Sequence, residues 1–180
     1  SLKGKVYFAA KDGTNGRELW VSDGTAGGTT MLTDIARGTP SSNPAQIVVC
    51  DSHLVFRAQT PLGLELWKSD GTAAGTVLVK DIRTPTGGSF PNHLTVCDKT
   101  VFFVANNGAT GAELWKTDLT AAGTVLVKDV NPGVAASTIL HITSSGDRVF
   151  FRATDGTGVG VELFVSDGTS AGTVMVKDIA

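Results

Sequence analysis

A chain of 180 residues with 41% apolar and 18% charged side chains can bury a core, and 15 basic against 17 acidic residues leave a net charge of −2. No run of like charge exceeds two residues, so no basic patch exists for a nucleic acid or an anionic membrane. No apolar stretch approaches the roughly 20 residues of a membrane span, and the 22 glycines with abundant threonine favour strands and turns over helices.

The opening SLKG lacks the charged-then-apolar layout of a signal peptide, so the chain reads as a mature or trimmed segment. KVYFAA is the first strand-like run. The connection KDGTNGR leads to ELWVSD, which turns through DGT into TTMLTDI. After RGTPSSNP comes a fuller unit of four runs, PAQIVVCD, HLVFRA, LELWKSD and TVLVKDI, named a to d in that order. Each is rich in Val, Ile, Leu, Phe, Trp or Thr and is bounded by Gly, Pro, Asp, Asn or Ser, as strands are. RTPTGGSFP and NPGVAAST introduce a third and a fourth unit of the same kind. Runs such as VFFVA and TVLV are apolar throughout, which predicts sheets covered on both faces.

The units form an internal repeat of about 48 residues, opened by Glu18, Glu65, Glu113 and Glu162. From each glutamate to the aspartate that closes its segment (Asp34, Asp81, Asp129, Asp178) the spacing is 16, and from that aspartate to the next Phe56, Phe103 or Phe151 it is 22. From Phe8, Phe56, Phe103 and Phe151 to the next glutamate it varies as 10, 9, 10 and 11. All length variation therefore falls in the b–c connection, a solvent loop, and the rest of the repeat has fixed register.

These patterns predict an all-β chain: a β-propeller, or a propeller-like arc, of four antiparallel four-stranded blades in a single repeat domain over 1–180. A solenoid coil is shorter than 48 residues, and a sandwich shows no strict repeat. The blades span approximately 1–42, 43–89, 90–136 and 137–180, and the first lacks its inner strand a. Its unpaired edge is a feature that proteins normally cover. The expectation is that the chain is an excerpt of something longer or that a neighbouring subunit fills the gap. Four blades could close a small ring alone, or two chains could pair into eight.

The string ELWxSDGTxAGTxxVKDI resembles the ELWxxDGT repeat, found in tandem in long secreted or surface-attached bacterial proteins. The resemblance spans all four repeats, with Leu119, Phe164 and Thr33 as departures in one copy each. It implies an extracellular or cell-surface, propeller-like array and supplies no active site.

Trp20, Trp67 and Trp115, with Phe164, sit in strand c, where a large ring fills the space between adjacent sheets; sugar stacking is the rival role. Asp23, Asp70, Asp118 and Asp167 open the c–d turns, where a carboxylate accepts the amide two residues on and the next residue takes positive φ. They are also the weak calcium candidates, although Ca²⁺ wants about 6–8 oxygens and each turn supplies one carboxylate. Glu18, Glu65, Glu113 and Glu162 recur at strand ends, which points to hydrogen-bonded capping of blade edges; a catalytic pair is needed once, at converging positions.

His93 and His141 share one position of strand a with Gln46 and predict a polar lining near the axis. Cys50 and Cys97 share another and predict small buried thiols. The glycine-dense TDGTGVGVE lies between strands, with no helix to supply a dipole, so it is not read as a phosphate loop. Strand parity places the b–c loops and d–a connections on one face and the DGT turns on the other. The former is the expected binding surface.

No cofactor is expected, and no enzyme. The functional expectation is a non-catalytic extracellular module for adhesion or surface assembly, acting through self-association or through neighbouring domains of a longer chain. A multivalent glycan-binding propeller is the alternative, and an enzyme comes third.

Overall fold

A computed structural model describes residues 1–84, 87–158 and 160–179. Among them lie fifteen strands in four antiparallel sheets, and no helix. Sheet one holds β1 (Val6–Ala10), β2 (Glu18–Ser22) and β3 (Thr30–Thr33). Sheet two holds β4 (Ala45–Cys50), β5 (His53–Thr60), β6 (Gly63–Ser69) and β7 (Val77–Lys80). β8 (Asn92–Cys97), β9 (Thr100–Asn106), β10 (Ala112–Thr117) and β11 (Val125–Lys128) form sheet three. Sheet four consists of β12 (Leu140–Ser145), β13 (Arg148–Ala153), β14 (Glu162–Ser166) and β15 (Val174–Lys177). Each sheet follows the chain as a meander, and sheet one has no strand on the free edge of β1.

The first strands of sheets two, three and four pack side by side, β4 on β8 and β8 on β12, and so form the inner edge of the array. The core lies between sheets rather than within them. Leu2, which precedes β1, and Leu19 of sheet one meet Leu54, Phe56 and Ala58 of sheet two. Val55, Leu66, Val79 and Ile82 meet Val101, Phe103 and Trp115 of the third. Phe102, Leu114, Val127 and Val130 meet Val149, Phe151 and Phe164 of the fourth. In strand b, alternate residues face opposite neighbours, Phe56 one way and Val55 the other, which is why VFFVA is apolar throughout.

The outer strands depart from the expectation of two covered faces. In β7 and β11, Val79 and Val127 are buried, while Val77 and Val125 are exposed. These strands are the rims of their sheets, where alternate side chains reach solvent.

Every inner strand carries a bulge at one place. Between Ala45 and Val48 the partner advances only from Arg57 to Val55, so Gln46 and Ile47 oppose the buried Phe56. The same shift places His93 and Leu94 opposite Phe103, and His141 and Ile142 opposite Phe151. Gln46, His93 and His141 take φ of 54°, 55° and 56°, the left-handed conformation of a bulge.

Candidate functional site

One polar apparatus is built into each repeat. At the start of strand c, the side chains of Glu18, Glu65 and Glu113 are fully buried, and Glu162 nearly so. Glu113 shows why. Its Oε1 accepts the amide of Ser137 at 2.9 Å, and its Oε2 accepts the amide of Val130 at 2.9 Å and the Ser137 hydroxyl at 2.6 Å. Glu18 takes the amides of Ile35 and Ser42 and the Ser42 hydroxyl in the same way. Glu65 takes the amide and hydroxyl of Ser89, and Glu162 receives the amide of Ile179 at 3.3 Å. Glu18, Glu65 and Glu113 therefore clamp the connection leading to the next sheet, where edge capping was expected. Burial pushes the carboxyls of Glu65 and Glu113 above their ordinary range, against the hydrogen bonds that favour the charge.

The c–d turn is the second recurrent device. Asp23 Oδ1 accepts both the amide and the hydroxyl of Thr25, at 3.0 and 2.8 Å, and the Thr25 hydroxyl accepts the Gly28 amide. Asp70, Asp118 and Asp167 do the same with Thr72, Thr120 and Thr169. These bonds hold the four carboxyls below their ordinary range; the Thr25 amide leads for Asp23, and the threonine hydroxyl leads for the other three. A Cβ on Gly28 would stand 1.9 Å from Asp23 Oδ1, so the carboxylate is packed onto its own turn. The four lie in separate sheets, and among the described residues no three His, Cys, Asp or Glu side chains gather as a cation site.

The aromatic positions line the intersheet seams. Trp115 and Phe164 are buried, Trp20 and Trp67 half-buried, and Phe164 stacks on Phe151 at 5.7 Å between ring centroids. The indole N–H groups of Trp20, Trp67 and Trp115 are buried without a protein acceptor among the described residues. At the inner edge, the Gln46 side-chain amide donates to Asn92 Oδ1, and its carbonyl accepts the Leu94 amide at 3.3 Å. His93 is half-buried; desolvation first, and then the nearby His141 and Arg57 charges, lower its pKa. His141 is exposed. Cys50 and Cys97 are free and buried, and burial pushes both thiols up.

Sequence reasoning passed over three partners. Ser42, Ser89 and Ser137 stand 24 residues after their glutamates. Seven residues join the pairs Ser22–Thr29, Ser69–Thr76, Thr117–Thr124 and Ser166–Thr173, whose hydroxyls bond at 2.7–2.8 Å. Lys80 and Lys128, on strand d, donate to the carbonyls of Thr124 and Thr173 in the following sheet, at 2.8 and 2.7 Å. The signal was present as invariant spacing, of 24 residues in three copies and of seven in all four, but small hydroxyl residues in turns are too common to mark a partner by themselves.

The b–c loops and d–a connections do meet on one face: the Gly16 amide donates to Gly38 O and the Asn43 amide to Arg17 O. A cavity of about 260 Å³ opens there on sheet one, lined by Lys11, Thr14, Asn15, Thr39 and Ser41. On the other face, a cavity of about 350 Å³ between sheets two and three is lined by His53, Lys68, Lys99 and Asp118.

The sequence matches no family model and no curated protein. Among solved structures, two of a puromycin hydrolase align over 95% of this chain at 17% identity, with TM-scores of 0.63 and 0.62. The chain spans 26% of the length of that hydrolase. A thermostable family-43 glycoside hydrolase aligns more loosely, over 97% of this chain and 69% of its own, at 11% identity and a TM-score of 0.44. The likeness to the puromycin hydrolase shows the fold alone, a propeller-like succession of antiparallel sheets.

Proposed function

We propose that this chain is a non-catalytic structural and interaction module of the ELWxxDGT-like kind, working outside the cell or on its surface in adhesion or assembly through self-association. The observation that carries the reading is the engagement of the recurrent acidic residues. Every glutamate of the repeat binds the connection downstream, and every turn aspartate binds its own threonine. An acid or base for catalysis needs a carboxyl free to meet a substrate, and a recurrent carboxyl already holding protein donors is committed to the fold.

The test is turnover on panels of aminoacyl, peptide and glycoside substrates, using protein repurified to constant specific activity. No turnover is expected; hydrolysis that survives repurification and is lost on substitution of a named side chain overturns the non-catalytic reading.

The cavity on the loop face favours a second reading, a glycan-binding propeller, since hydroxyl and amide side chains line it. Binding on a glycan array that disappears with Asn15→Ala would support that reading.

A further inference from the structure

The aromatic position of strand c differs between two interior seams whose frames agree. Between sheets two and three, Trp115 is buried against Val79 and Ile82 of sheet two. Between sheets three and four the same position is Phe164, buried against Val127 and Val130 of sheet three and stacked on Phe151. Lys80 donates to the Thr124 carbonyl in the first seam at 2.8 Å, and Lys128 to the Thr173 carbonyl in the second at 2.7 Å. Ile82 and Val130 are 9% and 4% exposed, and Val125 and Val174 are 37% and 45% exposed. Strand pairing sets Trp115 opposite Leu126 and Phe164 opposite Met175. A phenyl thus stands in an unchanged frame where three sheets carry an indole. Surroundings that relax only partly leave a cavity when a large side chain gives way to a smaller one.

A cavity of about 360 Å³ opens beside Phe164, and its other apolar walls are Val130, Pro132, Val174 and Met175. Two charged groups also line it, and both are engaged within the chain: Lys128 with the Thr173 carbonyl, and Asp155 Oδ1 with the amide and hydroxyl of Thr157 at 3.0 and 2.6 Å. We propose that this cavity binds a small planar aromatic molecule of the size of indole. The chain itself supplies the model for the ligand, since Trp20, Trp67 and Trp115 hold the equivalent place in the other sheets. Their indole N–H groups are buried without a protein acceptor among the described residues, so the place selects ring shape and apolar area rather than a hydrogen bond. An apolar cavity of about 150 Å³ is enough to admit a benzene ring. Every wall belongs to the seam between sheets three and four, inside the array.

The experiment is an NMR titration with indole of the chain isotope-labelled at its methionine methyls. Met175 lines the cavity, and Met31 holds the same place in sheet one opposite Trp20, so the two methionines of the chain are a reporter and a control. The Met175 methyl is expected to shift saturably, with a Kd on the order of 1 mM or tighter, while Met31 stays in place. Phe164→Trp restores the residue of the other three sheets and is expected to abolish the Met175 response, with circular dichroism confirming the fold. Should that variant fail to fold, Val174→Phe carries the same test, because it narrows the cavity from a half-exposed position on the rim strand. A Met175 methyl that does not move up to the solubility limit of indole overturns the assignment. A shift undiminished in the folded variant places the ring elsewhere and also overturns it. An equal shift of Met31 marks general adsorption on apolar surface and does the same.

Discussion

At the scale of single residues, the clamp glutamate is the side chain most constrained by its surroundings. All three contacts of Glu113 are donors, so Glu113→Gln presents its amide N–H₂ to an N–H or O–H and leaves donors unsatisfied. The expected loss is about 1–3 kcal/mol, read from urea unfolding. The same residue sets a sign for pH. Folding raises the pKa of Glu65 and Glu113, so their contribution is full below the unfolded value, about 4, and is lost as pH rises through the native value. The turn aspartates act oppositely: their lowered pKa values give a contribution present above about 4 and lost as pH falls through the native value. Urea midpoints measured across the acid range should therefore pass through a maximum near the ordinary carboxylate pKa, and Glu113→Gln should flatten the limb above it.

At the scale of the element, the c–d turn shows what one departure from the repeat does. Leu119 replaces glycine at φ 70°, a conformation costing a leucine roughly 1–2 kcal/mol. Its side chain, however, is buried in the seam between sheets two and three, which contributes about 1.5–3 kcal/mol. Burial outweighs strain, so Leu119→Gly is expected to lower stability by about 1 kcal/mol, measured by urea midpoint. The strands and turns were legible because hydrophobic runs and DGT signals repeat in register, and the position of Leu119 was legible as an anomaly. The inner-strand bulge was not, since Gln46, His93 and His141 carry no glycine to announce a left-handed backbone. The glutamates were legible as hydrogen-bonded groups but their partners were not, because only the fold brings a serine hydroxyl from 24 residues downstream.

For the molecule as a whole, the placement of the core between sheets means that no sheet is stable without a neighbour. Sheet three is covered on both sides, and β9 is buried from Val101 to Ala105. Sheets one and four are covered on one side. Hydrogen exchange is expected to rank the amides accordingly, slowest in β9 and fastest in β1 and β15. Equal protection across the four sheets would show that the chain opens as one unit.

The clamp also divides each d–a connection into held ends and a free middle. Glu113 grips Val130 at one side and Ser137 at the other, and between them Val134 is 83% exposed. The two grips act as a collar, so the length of chain between them is uncoupled from the packing on either side. A foreign peptide grafted at Val134 would be displayed on the loop face with both fastenings outside the graft, which makes this array a scaffold for presenting epitopes.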